Sequence, residues 1–162
     1  MALVDIYAID NSRSDLVMWV DSALTSGDIG IKNVADLATY VAIRCSGGDT
    51  IRELRIIGHG NADGQWFGSD WIGSSYLRYH AANLRKIGRC FNHPKGFVTL
   101  GGCKVGQNPI LLGQLSMYFG VPVRAFTASQ NPAIPGDEGA EVKCYLLSCS
   151  KGCSTLLDRV GY

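Results

Sequence analysis

The chain alternates short, almost wholly apolar runs with longer segments whose apolar residues recur every three or four positions. Residues 2–9 (ALVDIYAI), 54–57 (LRII), 97–100 (FVTL) and 121–126 (VPVRAF) read as buried strands bounded by Gly, Asn or Asp. Between them, Ser14 caps a helix with Leu16, Val17, Val20, Ala23 and Leu24 on one face, ending at Gly27. Asn33 caps a second, with Val34, Leu37, Ala38, Val41 and Cys45 inward, closed by Gly47-Gly48. Ser74 or Ser75 opens a third, with Leu77, Ala81, Leu84 and Ile87 inward, and Asn108-Pro109 opens a fourth over Leu111, Leu112, Leu115 and Phe119, ended by Gly120. Residues 28–31 form a short strand, 65–72 a small hairpin carrying Trp66 and Trp71, 129–140 a Pro/Gly-rich loop and 141–147 a last strand. Strands that alternate with amphipathic helices predict parallel pairing through right-handed crossovers. The expected fold is therefore an α/β three-layer sandwich. Its mostly parallel central sheet has about 5–6 strands, with helices on both faces. A single domain spans 1–148, with residues 149–162 as a cysteine-containing C-terminal tail packed on it.

Charge and composition exclude several functions. Fifteen basic against fourteen acidic residues leave a net charge of +1, without the basic surplus that nucleic-acid binding draws on. The cluster Arg78, Arg85, Lys86, Arg89 and Lys95 reads as a solvated helix face. The start lacks a basic leader region, its apolar run is broken by Asp5 and Asp10, and no stretch approaches the roughly 18 apolar residues of a membrane span. A cytoplasmic protein, or one exported by a leaderless route, is expected, with no membrane partner. The six cysteines stand at 45, 90, 103, 144, 149 and 153. Cys144, Cys149 and Cys153 are spaced x4 and x3, not as a CxxC pair, and Cys90 with His93 makes half a zinc site, so no metal is expected. Free thiols suit a reducing compartment, and a disulfide among the last three suits an exported chain. His80, on a helix, and His93, before Pro94, carry no role.

Ligands of an open parallel sheet bind beyond the carboxyl ends of its strands. Two strand ends carry reactive side chains: Gly58-His59-Gly60 follows one run and Gly101-Gly102-Cys103 the next. Adjacent strands lie about 5 Å apart, so the two turns face one crevice. A thiolate is the nucleophile, a neighbouring histidine lowers the thiol pKa or takes its proton, and flanking glycines leave backbone N–H groups for an oxyanion. A phosphate-loop reading of Gly58-x-Gly60-x-x-x-Gly64 fails on its final spacing, on the lack of a following helix start and on the lack of an acid about twenty residues on.

At these residues the sequence resembles the caspase–hemoglobinase clan of cysteine peptidases. The clan places His-Gly after one strand and (Ala/Gly)-Cys after the next, matched here by LRIIGHGNADG (54–64) and FVTLGGCKVG (97–106). The bacterial members, the self-cleaving protease domains of RTX toxins and CHAT-like domains, are nearest in character. The resemblance implies a caspase-like fold and a cysteine peptidase of the bacterial effector or toxin kind, acting on a protein or peptide substrate without a cofactor. Cys103 would be the nucleophile and His59 the general base and acid, with the N–H groups of Gly60 and Cys103 as the oxyanion hole. Thr127, Ala128 and Ser129, after the strand VPVRAF, would flank the substrate's P1 side chain. Asp137, Glu138 or Glu141 from PGDEGAEVKCY (135–145) would make that pocket acidic. The competing expectation is a catalytically inactive caspase-like interaction module anchored by Trp66 and Trp71.

Overall fold

The computed structural model describes residues 1–12, 29–129 and 139–146. Nine strands occur among them: β1 (Leu3–Asp10), β2 (Ile29–Ile31), β3 (Thr50–Ile57), β4 (Gly60–Asn61), β5 (Gly64–Phe67), β6 (Asp70–Gly73), β7 (Phe97–Leu100), β8 (Val123–Phe126) and β9 (Glu141–Cys144). Three α-helices join them: α1 (Val34–Cys45), α2 (Leu77–Gly88) and α3 (Pro109–Phe119). Six strands build one sheet in the order β2-β1-β3-β7-β8-β9. The first five run parallel and β9 runs antiparallel to β8. The molecule is thus α/β with a mixed, mostly parallel sheet. A three-stranded antiparallel sheet, β4-β5-β6, stands between β3 and α2.

Alternation along the strands sorts the side chains between the two faces of the sheet. Ile6, Ala8, Leu54, Ile56, Val98, Leu100, Val123 and Ala125 join one apolar cluster with Val34, Leu37 and Val41 of α1, Leu84 and Ile87 of α2 and Leu111, Leu115 and Phe119 of α3. The three described helices therefore cover one face. Full burial of each such aliphatic side chain stabilises by about 1.5–3 kcal/mol. The intervening residues carry an ionic network on the other face. Glu53 Oε1 accepts from Thr99 Oγ1 at 2.7 Å and from Arg55 and Arg124 at 3.3 Å each. Arg124 also donates to Glu141 at 3.4 Å and lies 4.5 Å from the Phe97 ring centre. The helix expected between Ser14 and Gly27, the loop at 130–138 and the tail from 147 lie outside the described residues.

Caps place the helices as their sequences predict. Asn33 Oδ1 accepts from the Asp36 amide at 2.8 Å, and the Asp36 carboxylate accepts from the Lys32 amide at 3.0 Å. Asn108 Oδ1 accepts from the Leu111 amide at 3.0 Å, with Pro109 in the first turn. Three local expectations are corrected. First, α2 starts at Leu77 behind Tyr76, which makes no side-chain cap, because the Tyr76 amide closes a turn onto Gly73 at 2.9 Å and draws Ser74 and Ser75 into it. Second, β3 begins at Thr50, four positions before its apolar run, because Thr50 and Ile51 pair with Leu3 and Val4 of β1 while Arg52 ion-pairs with Asp5. Third, β9 stops at Cys144, two residues before Leu146, which takes a positive φ of 53°.

Trp66 and Trp71 are cross-strand partners in the β5–β6 hairpin, half-buried and packed edge to face with ring centres 5.2 Å apart. Cys45, Cys90 and Cys103 are outside any disulfide, whereas Cys144 is disulfide-bonded, unlike the all-thiol state expected in a reducing compartment. No described helix is long and apolar enough to cross a membrane.

Candidate functional site

The parallel register of β3 and β7 brings the two reactive turns to the same edge. Arg55 pairs with Thr99 and Ile56 with Leu100, and the Gly101 amide donates to the Ile56 carbonyl at 2.8 Å. His59 leaves the sheet two residues after Ile57, and Cys103 three residues after Leu100. The turns are in contact. A Cβ on Gly60 would lie 3.1 Å from Gly102 Cα and 2.8 Å from Val105 Cγ2. Only a residue without a side chain allows this approach. His59 is exposed and Cys103 half-buried.

A buried glutamine joins the two strand ends. The Gln65 side chain is fully buried. Its Nε2 donates to the Ile56 carbonyl at 2.8 Å, and its Oε1 accepts from the Gly102 amide at 2.8 Å. A Cβ on Gly102 would stand 2.6 Å from that oxygen, so glycine is required there too. The β4–β5 hairpin fixes the histidine side: Gly60 pairs with Gln65, and the Trp66 amide donates to the His59 carbonyl at 2.8 Å. The backbone of His59 and the start of the Cys103 turn are thus both tied to residues 65 and 66.

Asp10, the last residue of β1, is fully buried at the same edge. Its neighbour Ile9 pairs with Ile57, and a Cβ on Gly58 would lie 3.4 Å from Asp10 Cβ. Asp10 Oδ1 accepts from the Ser12 amide at 2.8 Å and from Ser12 Oγ at 2.5 Å. Among the described residues its Oδ2 is buried without a hydrogen-bond partner. An unmatched buried carboxylate oxygen is costly, and this one lies directly behind the Gly58-His59 turn.

On its other side, the Cys103 turn is stitched to the end of β8. Lys104 takes the left-handed conformation at φ 61°, and its amide donates to the Ala128 carbonyl at 2.9 Å. A short 3₁₀ turn, Val105–Gln107, follows, and Gln107 Nε2 donates to the Thr127 carbonyl at 2.7 Å. Thr127 and Ala128 therefore border the cysteine turn. Thr127 is held by the loop leading into β9: its Oγ1 accepts from the Ala140 amide at 3.0 Å and its own amide donates to the Ala140 carbonyl at 3.1 Å. Ser129 is exposed beside them. Asp137 and Glu138 lie outside the described residues. Glu141 is ion-paired with Arg124, so its charge is already matched.

Sequence reasoning passed over Gln65 and Asp10. The signal for Asp10 was an acid at the end of an apolar strand, read only as a strand terminator. Gln65 gave none, because its partners are 9 and 37 positions away. Among the described residues no group of three or more His, Cys, Asp or Glu is placed to hold a metal ion. Comparison with known proteins finds no match, whether among family models, curated proteins or solved structures.

Proposed function

We propose that this chain is a cysteine peptidase of caspase-like character, hydrolysing protein or peptide substrates with a His59–Cys103 dyad. The observation that carries the reading is the contact between the Gly60 and Gly102 turns, at the carboxyl ends of two adjacent parallel strands. Cys103 attacks the scissile carbonyl carbon as its thiolate, with His59 holding the proton. The N–H groups of Gly60 and Cys103 receive the oxyanion. His59 then protonates the leaving amine, leaving a thioester on Cys103. It next takes a proton from water, whose oxygen attacks the thioester and releases the acid. Asp10, buried beside Gly58, is a positioning residue for the turn that carries His59. Thr127, Ala128 and Ser129 border the substrate's P1 side chain, with Asp137 assigned to the same pocket by the resemblance.

Support comes from the ties that hold both turns, and from the order of elements across residues 54–64 and 97–106. Trp66 and Trp71, the anchors of the interaction-module alternative, are half-buried and packed edge to face against each other. The test is alkylation of the thiols by iodoacetamide across pH, read by peptide mapping. Cys103 should label ahead of Cys45 and Cys90. His59→Ala should abolish that lead and lower peptide-library hydrolysis by about 10²–10⁴-fold. Equal labelling in both proteins, with no hydrolysis, would leave the interaction module as the better reading.

A further inference from the structure

The charges of this chain are unevenly placed. From Trp71 to Gly136 there is no Asp or Glu, yet there are seven Lys and Arg. That stretch includes α2, β7, α3 and β8. The described arginines outside α2 and its cap are ion-paired: Arg44 with Asp49, Arg52 with Asp5, Arg55 with Glu53, and Arg124 with Glu53 and Glu141. Among the described residues no carboxylate pairs with Arg78 or Arg85 of α2. Both instead line a groove of about 360 Å³ between α2 and α3. The buried Leu77 joins them on the α2 wall, and Gln114, Met117 and Tyr118 form the α3 wall. The Arg85 guanidinium lies 5.2 Å from the Tyr118 ring centre, a stacking contact that leaves its N–H edge for a carboxylate. Arg78 lies 4.8 Å from the Tyr79 ring centre and donates to its hydroxyl at 2.8 Å. Tyr76, Tyr79, Ile110 and Met117, on the same two helices and the turn before α2, are 52%, 67%, 65% and 48% exposed. Arginine, tyrosine and methionine without acids is the composition of a protein-binding surface.

We propose that the groove between α2 and α3 is a docking site for an acidic peptide segment of a partner protein, with two carboxylate side chains for Arg78 and Arg85 and an apolar side chain for Leu77 and Met117. Seven helical positions set the two arginine Cα atoms about 10 Å apart. An extended segment advances about 3.3 Å per residue, so acids two to four positions apart reach both. The cleft is at the small end of ligand-site volumes and is edged by exposed apolar side chains, which suits the side chains of a segment lying along it. The Gln114 carboxamide oxygen is buried without a hydrogen-bond partner among the described residues. A peptide N–H would supply that partner once the carboxamide turns into the groove. Nucleic acid fits less well: the whole chain carries a net charge of only +1, and the two arginines are separated by apolar and aromatic groups.

The test is a fluorescence-anisotropy titration of the intact protein against a fluorescein-labelled peptide, Gly-Glu-Leu-Glu-Glu-Leu-Gly, and its all-glutamine counterpart, with both probes checked by mass spectrometry for cleavage. The acidic peptide should bind at least about tenfold more tightly, a comparison that needs no variant. Arg78→Gln and Arg85→Gln should each weaken it by about three- to tenfold. Met117→Glu should weaken it too, through like charge in the groove. All three side chains are exposed, so these changes spare the core. Lys86→Gln and Arg89→Gln, exposed cations that do not line the groove, should shift affinity by less than about twofold. Equal affinity for the two peptides, no saturation by about 1 mM protein, or equal losses at all four cations would overturn the proposal. So would displacement of the peptide by inorganic phosphate beyond that by chloride of equal ionic strength, or tighter binding of a single-stranded oligonucleotide through the same arginines. The titration reads binding alone and is independent of the His59–Cys103 reading.

Discussion

A carboxamide taken wholly out of water is tolerated only when both its ends are matched, and Gln65 has both matched to backbone. Its two bonds do different work. One satisfies the carbonyl of Ile56, at the end of the histidine strand, and the other holds the amide of Gly102, next to Cys103. Gln65→Leu would keep the volume and lose both bonds, stranding the Gly102 amide, while the Ile56 carbonyl keeps its bond from the Gly101 amide. The expected loss of stability is about 1–3 kcal/mol, read from urea denaturation. Gln65→Glu separates the two bonds. A carboxylate still accepts from Gly102 but faces the Ile56 carbonyl without a proton to offer, so the folded state would raise its pKa above the unfolded value near 4.3. Stability from a raised acid is fully present below the unfolded pKa and is lost as pH rises through the folded one. The Glu variant should therefore approach wild-type stability in mild acid and fall behind towards neutral pH. A constant deficit at every pH would refute the bridging role.

At the scale of elements, the turns joining strands to helices set the position of the site, and the glycines in them differ sharply in what they tolerate. Gly60→Ala would drive a methyl group against Val105 and Gly102, prising the histidine turn from the cysteine turn. An overpacking cost of about 1–3 kcal/mol is expected, with slower alkylation of Cys103 as a second readout. Gly47, after α1, has nothing within 4 Å of an added Cβ, so Gly47→Ala should be neutral or stabilise by up to about 1 kcal/mol. Equal behaviour of the two in thermal melts would remove the close approach as the reason for Gly60. The same contrast explains what the sequence made legible. Asn33 and Asn108 cap amides three positions away, so their helices could be read locally. The apolar runs of β3 and β7, each ending in a glycine-flanked reactive side chain, could be read as neighbouring strand ends. The role of Gln65 depends on Gly102, and that of Asp10 on its packing against Gly58, contacts that only the folded sheet creates. The start of β3 was hidden because Arg52 and Glu53 look like loop residues until Asp5 and Thr99 are seen to pair with them.

Across the whole molecule, the two edges of the sheet carry different chemistry. The carboxyl edge gathers His59, Cys103, Asp10 and Gln65. The amino edge gathers a set of surface carboxylates: Arg52 pairs with Asp5, while Asp49 accepts from the Ala2 amide at 2.8 Å and from Arg44 at 3.1 Å. The Arg52 hydrogen bond holds the Asp5 carboxyl below its ordinary range, and the Ala2 amide does the same for Asp49. A carboxylate with a lowered pKa contributes stability above its unfolded value, and that contribution is lost as pH falls through the folded one. Acid weakening from this edge therefore sets in below about pH 4, where unfolded aspartates begin to protonate. Solvent reaches the Asp5–Arg52 pair, so its worth is small, about 0.5 kcal/mol. Asp5→Asn should lower stability by that amount at neutral pH and low salt. The deficit should shrink in about 1 M salt, where charges are screened within about 3 Å. It should shrink as pH falls below about 4, as the wild-type carboxylate takes up a proton and comes to match the uncharged variant. Urea titrations at these conditions decide it: a deficit that survives acid would mean that Asp5 acts through the packing of the β1–β3 pairing and not through its charge.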